Sequence, residues 1–240
     1  MFKMKIENIT KIDQTVDKKK EERIKKMKEA AEHIDALSNE EIIDMATTML
    51  SHVGLTLDDL KNKKVVDLGS GTQIIERAAT AKGTGAVLSV DSRDYVLSKR
   101  SEVKNGVVAD IRKGIPQIPN DSIDLLISHA GPPTISAVSR RKENVDSSVE
   151  EILRVLKKGG EARITRVQFD FIAQKHEKLQ ELLNKKHGNK ERLTSDEENE
   201  MDEMWNLVKD ESFEYLREKG IDIIEKETET KDWTYGVIKK

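Results

Sequence analysis

The stretch Val65-Val66-Asp67-Leu68-Gly69-Ser70-Gly71-Thr72 sets a carboxylate two residues ahead of a Gly-x-Gly turn, directly after an aliphatic run. Glycines are needed where a strand must turn tightly into a helix and a ligand must approach the backbone with no Cβ in the way. A dinucleotide loop would require a third glycine at position 74, which is Ile74. Asp67 would also stand roughly 4 Å from a pyrophosphate, a repulsion of a few kcal/mol at an effective dielectric near 20. No Gly-Lys-Ser/Thr follows, so a phosphate loop is excluded. An acid at this point suits a cationic ligand.

Two more carboxylates close aliphatic runs. Asp91 ends AVLSVD, downstream of the glycine turn, and Asp110 ends GVVAD. His129 follows IDLLIS, and its near-neutral pKa suits removal of a proton from an oxygen or nitrogen acceptor. Each residue also has a purely structural reading. The glycines could simply form a strand-to-helix turn, Asp91 could cap a helix, Asp110 could be a loop residue, and His129 a loop histidine with its hydrogen bond satisfied. His33, His52, His176 and His187 show no metal-ligand spacing, and no metal is expected. Arg140-Arg141-Lys142 reads chiefly as a solvated cluster.

These residues need a scaffold, and the hydrophobic periods supply one. From Asp17 to about Leu60 the chain reads as helices: Ile24, Met27, Ala30, Ala31, Ile34 and Leu37 form one apolar stripe. Ser38 and Glu41 make a capping box for a second helix through Leu50, with Gly54 as its stop. Thr56–Leu60 adds a helical turn, and the segment ahead of Asp17 is expected to be loosely held. From Lys64 to Val167, KVVDLG, AVLSVD, GVVAD, IDLLIS and EARITRV alternate with helices at Gln73–Lys82, near Arg93–Lys99 and at Val145–Lys157. Such unbroken aliphatic runs suit parallel strands covered on both faces. A long stretch of charged helix follows, with a capping box at Ser195 and Glu198, then a helix at Ser212–Lys219 ending at Gly220. IDIIEKE and WTYGVIK close the chain at hairpin spacing. One domain over 61–240 is expected, with a helical cap at 1–60 and a helical insertion at about 168–210.

Asp67-x-Gly69-x-Gly71, with Asp91, Asp110, IDLLIS and Leu153–Thr165 following in order, resembles the class I S-adenosylmethionine-dependent methyltransferases. The resemblance covers roughly Leu60–Val167 and the C-terminal segment 211–240. It implies an α/β fold: a doubly wound, Rossmann-like seven-stranded sheet, mostly parallel, with an antiparallel C-terminal hairpin. It implies S-adenosyl-L-methionine as cofactor. Asp67, Gly69, Gly71 and Thr72 would hold its methionine end, Asp91 with Ser92 the ribose hydroxyls, and Asp110 with Ile111 the adenine. Ser128 and His129 would lie by the transferring methyl group, His129 as base. Gln73 departs from the pattern at a position usually held by glycine. Gly131-Pro132-Pro133-Thr134 has the two prolines of the amino-methylating motif without its amide or aromatic. That argues against methylation of a base amino group or a glutamine amide.

Composition narrows the rest. The 240 residues include no cysteine, which excludes disulfides, thiolate metal sites and cysteine nucleophiles. Forty-two Lys and Arg against 45 Asp and Glu leave no basic field for nucleic acid, and two Trp, three Tyr and four Phe are poor material for base stacking. No apolar run could span a bilayer, and MFKMKIENITKID has no secretory apolar core, so a cytoplasmic protein without a membrane role is expected. The expected function is methyl transfer to a small-molecule acceptor, with RNA or protein acceptors open and oligomeric state undetermined. The alternatives are a non-catalytic member of the fold that binds cofactor or a partner through its helical additions, and, more weakly, a nucleotide-dependent oxidoreductase.

Overall fold

The computed structural model describes Lys25, Glu29 and residues 32–92, 105–228 and 234–240. The segment ahead of Asp17, the stripe positions Ile24, Met27, Ala30 and Ala31, the helix expected near Arg93–Lys99, and Trp233 lie outside the described residues.

The aliphatic runs form β1 (Val65–Leu68), β2 (Val87–Asp91), β3 (Gly106–Val108), β4 (Ile123–Ser128) and β5 (Leu156–Thr165), all paired in parallel. Strands β6 (Ile223–Glu227) and β7 (Thr234–Lys239) add an antiparallel pair, in the order β3-β2-β1-β4-β5-β7-β6. All four residues of β1 are buried, as a strand covered on both faces requires. Val65 joins a core with α1 (Asn39–Ser51) and α2 (Ile74–Lys82), through residues such as Ala46, Leu50 and Ile75. After β4 comes a short α3 (Ser136–Ser139). Val66 and Leu68 face the other way, toward α4 (Lys142–Val155) and α7 (Ser195–Glu218), through Val149, Ile152, Val208 and Phe213. This is the expected doubly wound α/β sheet. Strand order reverses between β1 and β4, and the crevice at the carboxyl ends there is where such sheets bind ligands.

The Ser38–Glu41 capping box forms as its spacing predicts: the Ser38 hydroxyl accepts from Glu41 N at 3.3 Å and Glu41 accepts from Ser38 N at 2.8 Å. Elsewhere local spacing misplaces boundaries. The helix expected to reach Lys157 ends at Val155, and β5 begins at Leu156 and runs straight through Gly159 and Gly160. Pairing shifts from Ile123–Leu156 to Leu125–Glu161, and the extra residues are absorbed as a bulge. A Cβ on Gly160 would stand 2.7 Å from the Ile123 carbonyl oxygen, so only glycine lets the bulge lie against β4.

The charged stretch after Val167 is not one helix. It comprises α5 (Asp170–Ala173), α6 (Glu177–Leu183), a π turn at Asn184–Gly188 and then α7. The capping box of α7 uses Thr194 and Glu197, one residue earlier than expected. Thr194-x-x-Glu197 and Ser195-x-x-Glu198 both have the right spacing, and Lys185 favours the first by donating to Glu197 at 2.6 Å. The separate helix expected at Ser212 is instead the end of α7. The buried Ser212 hydroxyl bonds back to the Val208 carbonyl at 2.6 Å and accepts from Phe169 N at 3.0 Å, so it packs rather than caps. Among the described residues no helix is long and apolar enough to cross a membrane.

Candidate active site

The loop after β1 is shaped by backbone. Gly69 and Gly71 adopt φ of +75° and +52°, and Gly69 N and Ser70 N both donate to the Val90 carbonyl, at 2.7 and 3.2 Å. Gln73, where the family usually has glycine, keeps a left-handed conformation at φ +60°. Its buried amide donates to Glu76 at 3.3 Å, and Glu76 also accepts from Ser89 at 2.8 Å. A Cβ on Gly69 would stand 2.9 Å from Pro132 Cδ. One on Gly131 would stand 2.8 Å from Ser128 Oγ and nearer still to the Leu68 carbonyl oxygen. The loops after β1 and β4 therefore touch backbone to backbone. Gly131→Ala is expected to cost about 1–3 kcal/mol of stability by overpacking and to lower affinity for cofactor. Chemical denaturation and calorimetry check both, and an unchanged midpoint would show that the loops can part freely.

A cavity of about 560 Å³ opens at these strand ends, within the range of small-molecule sites. Of the residues expected to bind cofactor, Gly69, Asp91, Ser92, Asp110 and Ile111 line it. Asp67, Gly71, Thr72, Ser128 and His129 are not among its lining residues. Gly71 still contributes, since its N–H donates to the buried Asp91 carboxylate at 3.0 Å. Ser128 is fully buried and donates to the Pro132 carbonyl at 2.6 Å, holding the loop that forms the far wall.

Asp67 is buried behind the loop, and its Oδ2 has no hydrogen-bond partner. Burial, reinforced by the charges of Asp91 and Glu76, pushes its carboxyl up to about 7. A pKa raised on folding favours the protonated form, so this group's contribution is complete below about pH 4 and is lost as pH rises through 7. Asp67→Asn, neutral throughout, is expected to remove that loss. Thermal scans should show wild-type protein without cofactor weakening relative to the variant between about pH 4 and 7, and levelling off above that. Parallel curves would mean that the carboxylate is solvated.

Asp110 caps a 3₁₀ turn at Ile111–Lys113 and is gripped by Arg112, whose Nε and Nη2 donate at 2.8 and 2.6 Å. That pairing holds its carboxyl below the ordinary range. Buried Ile111 gives the cavity an apolar wall. The turn is anchored from below: Glu151 of α4 accepts from Ile115 N at 2.5 Å and from Arg154 Nε and Nη2, both at 2.7 Å. Arg154 also donates to the Ile115 and Ile118 carbonyls, at 3.1 and 3.0 Å.

His129 turns toward the amino-terminal helices. Its Nε2 lies 2.9 Å from Nδ1 of His52, at the C-terminal end of α1, and the rings stack with centroids 5.2 Å apart. Burial pushes the His129 ring below its ordinary pKa, and nearby His52 and Arg166 push it further. The sequence reading did not single out His52 as a partner, because the pair is far apart in the chain and neither lies in a spacing pattern. It also missed Arg166, whose φ of +53° ends β5 beside the cavity. An open groove of about 790 Å³ adjoins the cavity and shares Thr134 and Arg166 with it. Gln168, Asp170 and four residues of α7 complete the groove. No group of three or more metal-ligating side chains occurs among the described residues.

Residues 59–234 match the family model described as a methyltransferase domain. No curated protein matches the sequence. Among solved structures, a Methanococcus maripaludis protein provisionally described as an S-adenosyl-L-methionine-dependent methyltransferase is 17% identical. The match covers 89% of this chain and 93% of that one, with a TM-score of 0.47. The plantazolicin methyltransferase BpumL, solved in complex with SAH, is 12% identical over 90% of each chain, at a TM-score of 0.48. A SAM-dependent methyltransferase from Aquifex aeolicus is 16% identical over 84% of this chain and 97% of its own, at 0.40. The family match spans β1 to β6 and both walls of the cavity, and the chain belongs to the class I S-adenosylmethionine-dependent methyltransferase family.

Proposed function

We propose that this protein binds S-adenosyl-L-methionine in the cavity between β1, β2 and β4 and transfers its methyl group to a small-molecule acceptor in the cytoplasm. The observation that carries the reading is Asp91. It is buried at the end of β2, accepts from Gly71 N and lines the cavity, so one carboxylate ties the glycine loop to the ligand space. The residues fit the cofactor: a backbone turn that admits no Cβ, a carboxylate for a ribose diol and the apolar Ile111 wall for an aromatic base. When bound, the cofactor supplies an electrophilic methyl group on a sulfonium.

The chain's own part is to position and to exclude water. Asp91 would accept the ribose hydroxyls, and Ile111 would pack on the adenine with Asp110 and Arg112 beside it. Gly69 would let the backbone approach, with Gly71 and Thr72 shaping the loop, Ser92 at its rim and the Ser128–Pro132 bond fixing the opposite wall. Ionised Asp67 would complement the cationic methionine end through the loop. We assign His129, with His52, to joining the amino-terminal helices to the β4 loop rather than to proton removal. Residues 1–60 then act as a cap on a domain spanning 61–240, with the helical insertion at about 168–210 beside the acceptor groove.

A second reading, cofactor binding without catalysis, draws on His129 lying outside the cavity lining and on Gln73 in the loop. Calorimetry with S-adenosylmethionine, followed by a labelled methyl-transfer assay on metabolite fractions, separates the two. Binding with transfer supports the first reading. Binding with no transfer to any fraction supports the second, and no binding overturns both.

A further inference from the structure

We propose that the groove adjoining the cavity seats the methyl acceptor and that this acceptor is an aliphatic amine, held between Asp202 and the indole of Trp205; the assignment rests on the methyl-transfer reading above. The groove meets the cavity at Thr134 and Arg166, so a bound acceptor has a direct path to the reacting carbon. Its outer wall is one face of α7, where Met201, Asp202, Trp205 and Asn206 stack at four-residue spacing. Asp202 is exposed and has no ion-pair partner among the described residues. Asp170 faces the groove from α5, 3.7 Å from the exposed guanidinium of Arg140. Arg166, at the inner end, is the cation among the groove's described lining residues.

The acceptor class follows from charge movement. Among the described residues the groove has no histidine, lysine or tyrosine in its lining, so these offer no base of near-neutral pKa. An alcohol would need such a base as its C–O bond forms. An aliphatic amine binds as its ammonium, loses that proton to water in the open groove, and then attacks with its own lone pair: the C–N bond forms and the C–S bond breaks with its electrons staying on sulfur. Positive charge passes from sulfur to nitrogen, and the product ammonium later yields a proton to water. A carboxylate and an indole face stabilise charge gained at nitrogen.

The test uses the full chain in the presence of S-adenosylhomocysteine, with phenethylamine as probe and phenylacetate and 2-phenylethanol as matched controls, read by ligand-observed NMR. Phenethylamine is expected to bind about fivefold or more tightly than either control, and Asp202→Asn and Trp205→Ala each to weaken it about threefold to fivefold. Equal binding of the three probes, no binding of phenethylamine, or unchanged affinity in Asp202→Asn would overturn the proposal. Asp202 is exposed, Trp205 is half-buried against the core, and circular dichroism confirms folding of each variant. Calorimetry with S-adenosylhomocysteine on the same samples separates the two readings. Normal cofactor-site binding without amine preference overturns the groove assignment alone. Amine preference without cofactor-site binding keeps the groove and overturns the transfer reading.

Discussion

Glu151→Ala is expected to lower global stability by about 3 kcal/mol, the lower end of the cost of breaking a buried ion pair. Glu151 is 8% exposed and satisfies three donors: Ile115 N and two nitrogens of Arg154. Removing it orphans a buried amide and leaves the guanidinium partnered, among the described residues, by carbonyls and Asn120 alone. Arg154 is 31% exposed at its side chain, so water offsets part of the loss and the lower end of the range applies. For a chain of this size the shift in Tm should be about 6–12 °C. The sign with pH is also set. Burial raises the Glu151 pKa, but the Arg154 and Ile115 hydrogen bonds together outweigh it, and the net value lies below the ordinary 4.5. The contribution is therefore present above pH 4.5 and is lost as pH falls through the depressed value. Glu151→Gln keeps the acceptor for Ile115 and should lose less. Thermal melts of both variants decide it, and an alanine variant melting with wild type would show that this network is not what anchors the turn. Because that turn carries Asp110 and Ile111, affinity for cofactor should fall with stability in Glu151→Ala.

Asp91→Ala is expected to weaken S-adenosylmethionine binding by about 1–3 kcal/mol, roughly 5- to 150-fold, with a smaller loss of stability. Two effects add. The ribose hydroxyls would lose a charged acceptor, and Gly71 N would lose the carboxylate that orders the loop. Asp91→Asn keeps an acceptor oxygen for Gly71 without the charge, so its affinity should fall between wild type and alanine. The variants also bear on Asp67, since the Asp91 charge is one reason the Asp67 carboxyl titrates so high. Without it, Asp67 should ionise at lower pH. Calorimetric titration of the three proteins tests the assignment, and equal affinities would remove Asp91 from the ribose site.

Where the sequence was legible, one local force dominated. Aliphatic runs without polar alternation gave strands at Val65–Leu68, Val87–Asp91 and Ile123–Ser128, because a strand buried on both faces permits nothing else. Ser38 and Glu41 cap each other within a single turn, so their spacing suffices. The errors fall where two local solutions are nearly equal. Thr194 and Ser195 could each cap α7, and Lys185, reaching in from the preceding π turn, favours one. Ser212 could start a helix or bond back within one, and packing against Phe169 favours the second.

The same division runs through the site. Gly69, Asp91 and Asp110 line the cavity, and neighbouring residues placed each of them: a glycine turn after one aliphatic run and a carboxylate closing each of two others. From the sequence alone follow a parallel α/β sheet, its crevice and the resemblance to the methyltransferase family. Only the tertiary structure decided what each side chain meets there. Arg112 takes up Asp110, Glu151 supports the turn from another helix, and His129 reaches His52 instead of the cavity. Asp202 and Trp205 come to the groove on a helix well downstream of the sheet's fifth strand. Hydrophobic period is a short-range property of the chain, whereas a pocket is made of residues brought together by closing long loops. No spacing rule records such contacts, because their energies depend on burial and partners that exist only once the sheet is assembled.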